Sequence, residues 1–204
     1  VNTTTESLAL HRGDPYVLAE WLALPGALRS GHFELLSGLH SDRFLAFSRI
    51  CEEEGALDLL ASWLAPELAP LSPSAVLAPS TAGVGLGRAL ARTLGVPLQL
   101  ASLNDSGRPE AVIGAPSMVG ERVLLANDVL TTGQGLEALA RLVRSGGGEP
   151  AAAVWFLSRT AVDVEATLDI PGLCIGEFGL PAWGAEQCQA CHRSEPLELA
   201  LDIN

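Results

Sequence analysis

From Ser74 to Phe178 short apolar runs alternate with amphipathic stretches, and this rhythm restricts the fold more than any other feature of the chain. SAVLAPS, VPLQLAS, RVLLAND, PAAAVWFLS and LCIGEF read as strands. Between them, AGVGLGRALARTLG opens on Gly83 and Gly85 and stops at Gly95, and TTGQGLEALARLVRSGG follows later; both read as helices. Strands separated by helices pair in parallel, with the helices laid over the sheet. The fold class expected is α/β, a central parallel sheet flanked by helices. Ser102 to Glu121 interrupts the rhythm with Gly, Pro, Asn and Asp and reads as a long loop or loose hairpin.

The two ends do not share the alternation. Residues 15 to 29 read as a short helix beginning at Pro15, and His32 to Ile50 as a strand-like piece with a turn at Ser37-Gly38. Residues 51 to 65 read as a helix ended by Pro66. A single domain is expected, with a core over about 70–178 and a small hood from about 1–69 and 179–204. The hood would lie over the carboxyl ends of the strands, where α/β sites form.

Composition narrows the function classes. At 204 residues and 48% hydrophobic, the chain has ample material for a core, and no apolar run approaches the length of a membrane span. No signal peptide is visible at the start, so a cytoplasmic location is expected. Four scattered cysteines argue against a disulfide scaffold. The net charge of −12 is a poor footprint for binding nucleic acid. All twelve basic residues are arginine, which excludes lysine Schiff-base chemistry and Walker-type phosphate loops.

RVLLANDVLTTGQGL carries the strongest chemical signal. An apolar strand runs into Asn127 and Asp128, and Thr131, Thr132, Gly133, Gln134 and Gly135 then open a helix. Successive backbone N–H groups at a helix start, among small residues, suit a phosphate monoester. Asp128 at the strand end would face sugar hydroxyls or a metal. A tight turn with a Thr N-cap is the plainer alternative.

This segment resembles the phosphoribosyl-pyrophosphate signature of type I phosphoribosyltransferases, with Asn127 in place of the first acidic residue. The resemblance implies that Asn127 and Asp128 meet the ribose hydroxyls and that residues 131 to 135 hold the 5-phosphate. SGLHSDRF (Ser37 to Phe44), PSTAGVGLGRALARTLGVP and VWFLSRT resemble segments of the orotate branch. They imply a pyrophosphate loop at Thr81, Ala82 and Gly83, and orotate contacts from Arg159, Ser37 and Gly38. An arginine fork is a natural partner for orotate's carboxylate. Catalysis would fall to Asp128 and Arg108, with Mg2+ held mainly by substrate oxygens and a homodimer as the assembly. Expected partners are phosphoribosyl pyrophosphate and orotate, with neither nucleic acid nor membrane.

The chain departs from that pattern in its cations. Leu39 stands where the resembled segment has arginine, Ala82 or a neighbour replaces a basic residue, and residues 111 to 116 lack a basic run. Three readings follow: a divergent orotate phosphoribosyltransferase, a paralogue that binds a nucleotide or phosphoribosyl compound without efficient turnover, or a transferase for another base.

Cys188-x-x-Cys191-His192 matches haem attachment literally, but that needs export and an axial ligand. Zinc is a better candidate than haem at Cys188 and Cys191, with His192, and Cys174 or His11 as a distant fourth ligand; a tail with no metal at all is the equal alternative. Adjacent Cys191 and His192 cannot easily reach one ion together. A cysteine pair also occurs in the tails of some members of the resembled family. His40-Ser41-Asp42 reads as a turn whose polar side chains bond backbone.

Overall fold

The computed structural model describes residues 8–80, 83–114, 117–159 and 162–200. Its centre is a seven-stranded sheet in the order β1-β9-β8-β7-β4-β5-β6. The strands are β1 (Leu8–Leu10), β4 (Ala75–Pro79), β5 (Leu98–Leu103), β6 (Pro109–Val112), β7 (Arg122–Leu130), β8 (Glu149–Ser158) and β9 (Gly172–Phe178). From β9 through β8, β7 and β4 to β5 every pairing is parallel, as the alternation predicts. β1 and β6 close the two edges as antiparallel strands. Ser102–Glu121 therefore contains the tip and second strand of a hairpin, the second of the two readings it allowed.

Strands β4 and β8 are apolar because both of their faces are covered: β4 is buried throughout. On one face lie α1 (Pro15–Leu22), α3 (Ala56–Leu68) and α4 (Gly83–Leu94), whose Leu18, Leu60, Leu64, Leu86 and Leu90 are sealed from solvent. On the other lie α5 (Gln134–Ser145) and α6 (Val164–Leu168), packing Leu136, Leu139 and Val143 against Val123, Leu125 and Trp155. Gly87 sets the height of α4, since a Cβ there would sit 2.8 Å from the Ala78 Cβ.

The N-terminal segment divides between the two parts of the molecule. β1 joins the main sheet and α1 and α3 its core, whereas β2 (Leu28–Glu34) and β3 (His40–Leu45) form a hairpin. β10 (Glu198–Leu199) pairs in parallel with β2, making a three-stranded hood sheet around Phe33, Leu35, Phe44 and Ala200. A short helix α2 (Phe47–Cys51) leads from the hairpin to α3, and α7 (Gln189–His192) lies in the tail.

Two expected helices end elsewhere. α1 stops at Leu22, because residues from Leu28 are taken by β2. α3 runs through Pro66 to Leu68. A proline removes one N–H, and with only two residues to follow, the last turn survives that loss while Leu64 and Leu68 are fully buried.

Candidate active site

The chain reverses its direction of travel across the sheet between β4 and β7. β4 leads through α4 to β5 on one side, and β7 leads through α5 to β8 on the other. The carboxyl ends of these two strands therefore part around a crevice, the place where open α/β sheets take ligands. A cleft of about 440 Å³ opens there. Its walls include Pro79 from β4, Asn127, Asp128 and Val129 from β7, and Arg159 just beyond β8. Ser37 and Phe44 close it from the hood.

An adjoining recess is lined by Thr131, Thr132, Gly133, Gln134 and Gly135 together with Ser106, Gly107 and Arg108. The five-residue turn thus faces a cavity, and Arg108, from the β5–β6 hairpin, shares it within the same chain. Gly133 is the N-cap of α5 at φ 82° and, being glycine, makes no side-chain cap bond. The plainer alternative, a Thr N-cap, does not hold: the N-cap position is a left-handed residue, a conformation glycine adopts without strain. Gly133 itself brings no side chain to the first N–H groups of α5, and such a helix start suits an anion.

Arg159 is 4% exposed. One terminal nitrogen donates to Ser41 Oγ at 2.7 Å and to the Arg43 carbonyl at 3.0 Å. Its Nε is buried without a hydrogen-bond partner among the described residues. Burial pulls the guanidinium down to about 10, with the Asp42 charge opposing that shift, so it stays protonated at neutral pH.

The remaining expected residues divide as follows. Gly83 opens α4 against Pro79 and the Asn127 backbone, close to the cleft. Thr81 and Ala82 lie outside the described residues. Gly38 shapes the β2–β3 turn at φ 78° and is not among the residues lining the cleft, whereas Ser37 is. Asn104, Asp105 and Leu36 line the cleft without having been expected there. They sit on hairpin tips whose direction depends on tertiary packing.

The tail holds a second cluster with a different membership from the one expected. Cys188 and Cys191 do come together, with His32 and His40 of the hood hairpin. His192 turns away, its Nε2 lying 2.9 Å from the Glu186 carbonyl. Cys174 is inside β9, and His11 faces Glu177. His40, with Ser41 and Asp42, belongs to strand β3 and not to the turn expected there. The hairpin brings the two histidines together: Glu34 pairs with His40, the register shifts between Ser30 and Phe33, and His32 Nε2 lies 3.1 Å from His40 Nδ1.

A crossover crevice, a glycine-entered helix start facing a recess and a buried arginine define an α/β protein with a ligand-sized cleft at the carboxyl ends of its strands. Residues 49–166 match the phosphoribosyl transferase domain, and the chain belongs to that family. It is 31% identical over 171 residues to the orotate phosphoribosyltransferase of Pelotomaculum thermopropionicum, covering 84% of this chain and 88% of that one. It is 32% identical over 178 residues to that of Sulfurimonas denitrificans, covering 81% and 88%. The crystal structure of the Aeropyrum pernix orotate phosphoribosyltransferase shares the fold, with a TM-score of 0.61 at 23% identity over 78% of this chain and 92% of that one. Among the described residues no helix is long and apolar enough to cross a membrane.

Proposed function

We propose that the protein transfers the phosphoribosyl group of phosphoribosyl pyrophosphate to orotate, giving orotidine 5′-phosphate and pyrophosphate. Arg159 carries this reading. A buried cation with an unpartnered Nε is costly unless a ligand accepts from it. Orotate offers a planar carboxylate to that planar fork. Its similarity to curated orotate phosphoribosyltransferases supports the same acceptor.

In this reading the 5-phosphate rests on the turn at residues 131–135, and Asn127 and Asp128 bond the ribose hydroxyls. Ser37 and Arg159 orient orotate, with Gly38 shaping the turn that presents Ser37. As the bond to pyrophosphate breaks, positive charge grows on the anomeric carbon, where the Asp128 carboxylate stabilises it. Arg108 and the loop at Thr81, Ala82 and Gly83 face the departing pyrophosphate. Asn127 and Asp128 offer the hard oxygen donors that Mg2+ accepts alongside substrate oxygens and water. Bound Mg2+ supplies positive charge to the pyrophosphate oxygens. The reading includes a cytoplasmic homodimer, an assembly that rests on the family resemblance.

One observation favours a second reading, a phosphoribosyl-binding protein with little turnover. The cleft has Asp105 and Asp128 on its walls but Arg159 as its one basic residue among those described, with Arg108 in the recess beyond. A steady-state assay with orotate, phosphoribosyl pyrophosphate and Mg2+ decides between them, using Asp128→Asn purified identically as control. Turnover lost in the variant supports the transferase. Binding of ribose 5-phosphate without turnover supports the second reading, and neither behaviour overturns both.

A further inference from the structure

We propose that His32, His40, Cys188 and Cys191 form a structural zinc site that fastens the C-terminal tail to the hood sheet. The inference is independent of the reaction proposed above. The four ligand atoms lie within 4.8 Å of one another. His32 Nε2 is 3.1 Å from His40 Nδ1, 3.4 Å from Cys188 Sγ and 3.5 Å from Cys191 Sγ. Cys191 Sγ is 3.1 Å from His40 Nδ1. Tetrahedral zinc with ordinary Zn–N and Zn–S bonds needs ligand atoms roughly 3.3–3.8 Å apart, so small adjustments would accommodate the ion.

The hydrogen bond behind one ligand points the same way. His32 Nδ1 lies 3.0 Å from the Glu195 carbonyl, which can only accept. The proton is therefore on Nδ1, and the Nε2 lone pair faces the cluster. This is the outer bond that orients metal-bound histidines. His40 is held by its backbone, whose N–H and carbonyl both bond Trp183 at 2.7 and 2.8 Å. Both histidines are 6% exposed and Cys188 is 2% exposed, while all the cysteines are free of disulfides.

Soft thiolates with imidazoles select zinc over the hard cations that carboxylates bind. On binding, each cysteine releases its thiol proton to solvent while both imidazoles enter neutral. Two thiolates then offset the charge of one Zn2+, giving a neutral centre suited to a buried position. The clamp spans 156 residues between His32 and Cys188, with no disulfide. It sits beside Ser41, the residue that receives Arg159, so it steadies one wall of the cleft from behind.

Metal analysis of the purified full chain tests this directly. About one zinc per chain is expected. Cobalt substituted into the chelator-stripped protein should show thiolate-to-metal charge transfer and the strong visible bands of a tetrahedral S2N2 site. His40→Ala and Cys191→Ser should lose the metal, whereas His192→Ala and Cys174→Ser should keep it. Should the first pair fail to fold, alkylation of the wild type replaces them: zinc must shield Cys188 and Cys191, and a chelator must expose them. The proposal is overturned by a metal-free native protein whose cobalt spectrum is not tetrahedral. Zinc retained without His40 or Cys191, a resident Cys188–Cys191 disulfide, or thiols that zinc leaves unprotected would each overturn it as well.

Discussion

Arg159 and Ser41 are 118 positions apart in the chain and meet at 2.7 Å. The contact joins the end of a main-sheet strand to the hood, and the Arg43 carbonyl reinforces it. One edge of the guanidinium is thereby held by protein, while its Nε lacks a partner among the described residues. A rigidly held cation binds a carboxylate with little further loss of side-chain entropy.

Arg159→Lys keeps the charge and removes the fork. A hydrogen bond to a charged group is worth about 1.5–3 kcal/mol, so the orotate KM should rise by about tenfold or more. An unchanged KM would remove Arg159 from the acceptor site. Parallel thermal melts show whether the Ser41 contact is also a folding contact.

The same residue makes opposing predictions for binding and stability at high pH. Its native value is about 10, below that of an ordinary arginine. The penalty for burying the charge is fully present below pH 10. Above it the native chain sheds a proton that the unfolded chain still holds, so this group's contribution to stability rises with pH. Carboxylate binding needs the charged form and should weaken over the same range. Orotate titrations across about pH 8–11, compared with Arg159→Ala, measure the first effect. Melting of the free proteins measures the second.

Gly133→Ala should damage both helix start and recess. Its φ of 82° costs a side-chain-bearing residue about 1–2 kcal/mol, and the new Cβ would lie 3.2 Å from Val162 Cγ1. Urea unfolding should show the loss, and affinity for ribose 5-phosphate should fall with it. A variant with unaltered phosphate affinity would show that this turn is not the cradle.

Arg12 joins Glu67 of α3 and also donates to the Cys174 carbonyl at 2.9 Å. Its hydrogen bond holds the Glu67 carboxyl below the ordinary glutamate value. A lowered carboxylate stabilises the fold above its unfolded value and loses that contribution as pH falls through the native one. Half of the Glu67 side chain is exposed, so solvent screens the pair and Glu67→Gln should cost only about 0.2–1 kcal/mol at neutral pH. The difference from wild type should shrink on acidification below about pH 4. A constant difference in chemical denaturation would assign the effect to packing.

The parallel core was legible because each of its strands carries its own apolar run, and α4 and α5 follow β4 and β7 directly in the sequence. The turn at 131–135 was legible for a related reason: strand, small residues and helix are contiguous. β1 was not, since three residues, Leu8–Leu10, acquire strand geometry only from β9 beside them. The partners of Cys188 and Cys191 were also hidden, because local spacing favours neighbours such as His192 while the structure supplies His32 and His40 from the far end of the chain. Pro66 misled in the opposite direction: burial of the flanking leucines outweighs a rule that describes helix interiors.

The hood hairpin also imposes an order on folding during synthesis. Residues 28–45 leave the ribosome ahead of Arg159, the tail cysteines and β10, which they pack against and which come more than a hundred residues later. The parallel sheet can assemble before the hairpin finds its permanent neighbours, since strands β4, β5, β7 and β8 are all made first. Until the tail emerges, Phe33 and Phe44 lack the cover of Ala200 and the cleft lacks a finished wall. Such distant contacts slow folding and prolong the exposure of apolar surface to chaperones and to other chains. Recognition of the ligand thus waits on segments translated more than a hundred residues after the hairpin that helps to shape its cleft.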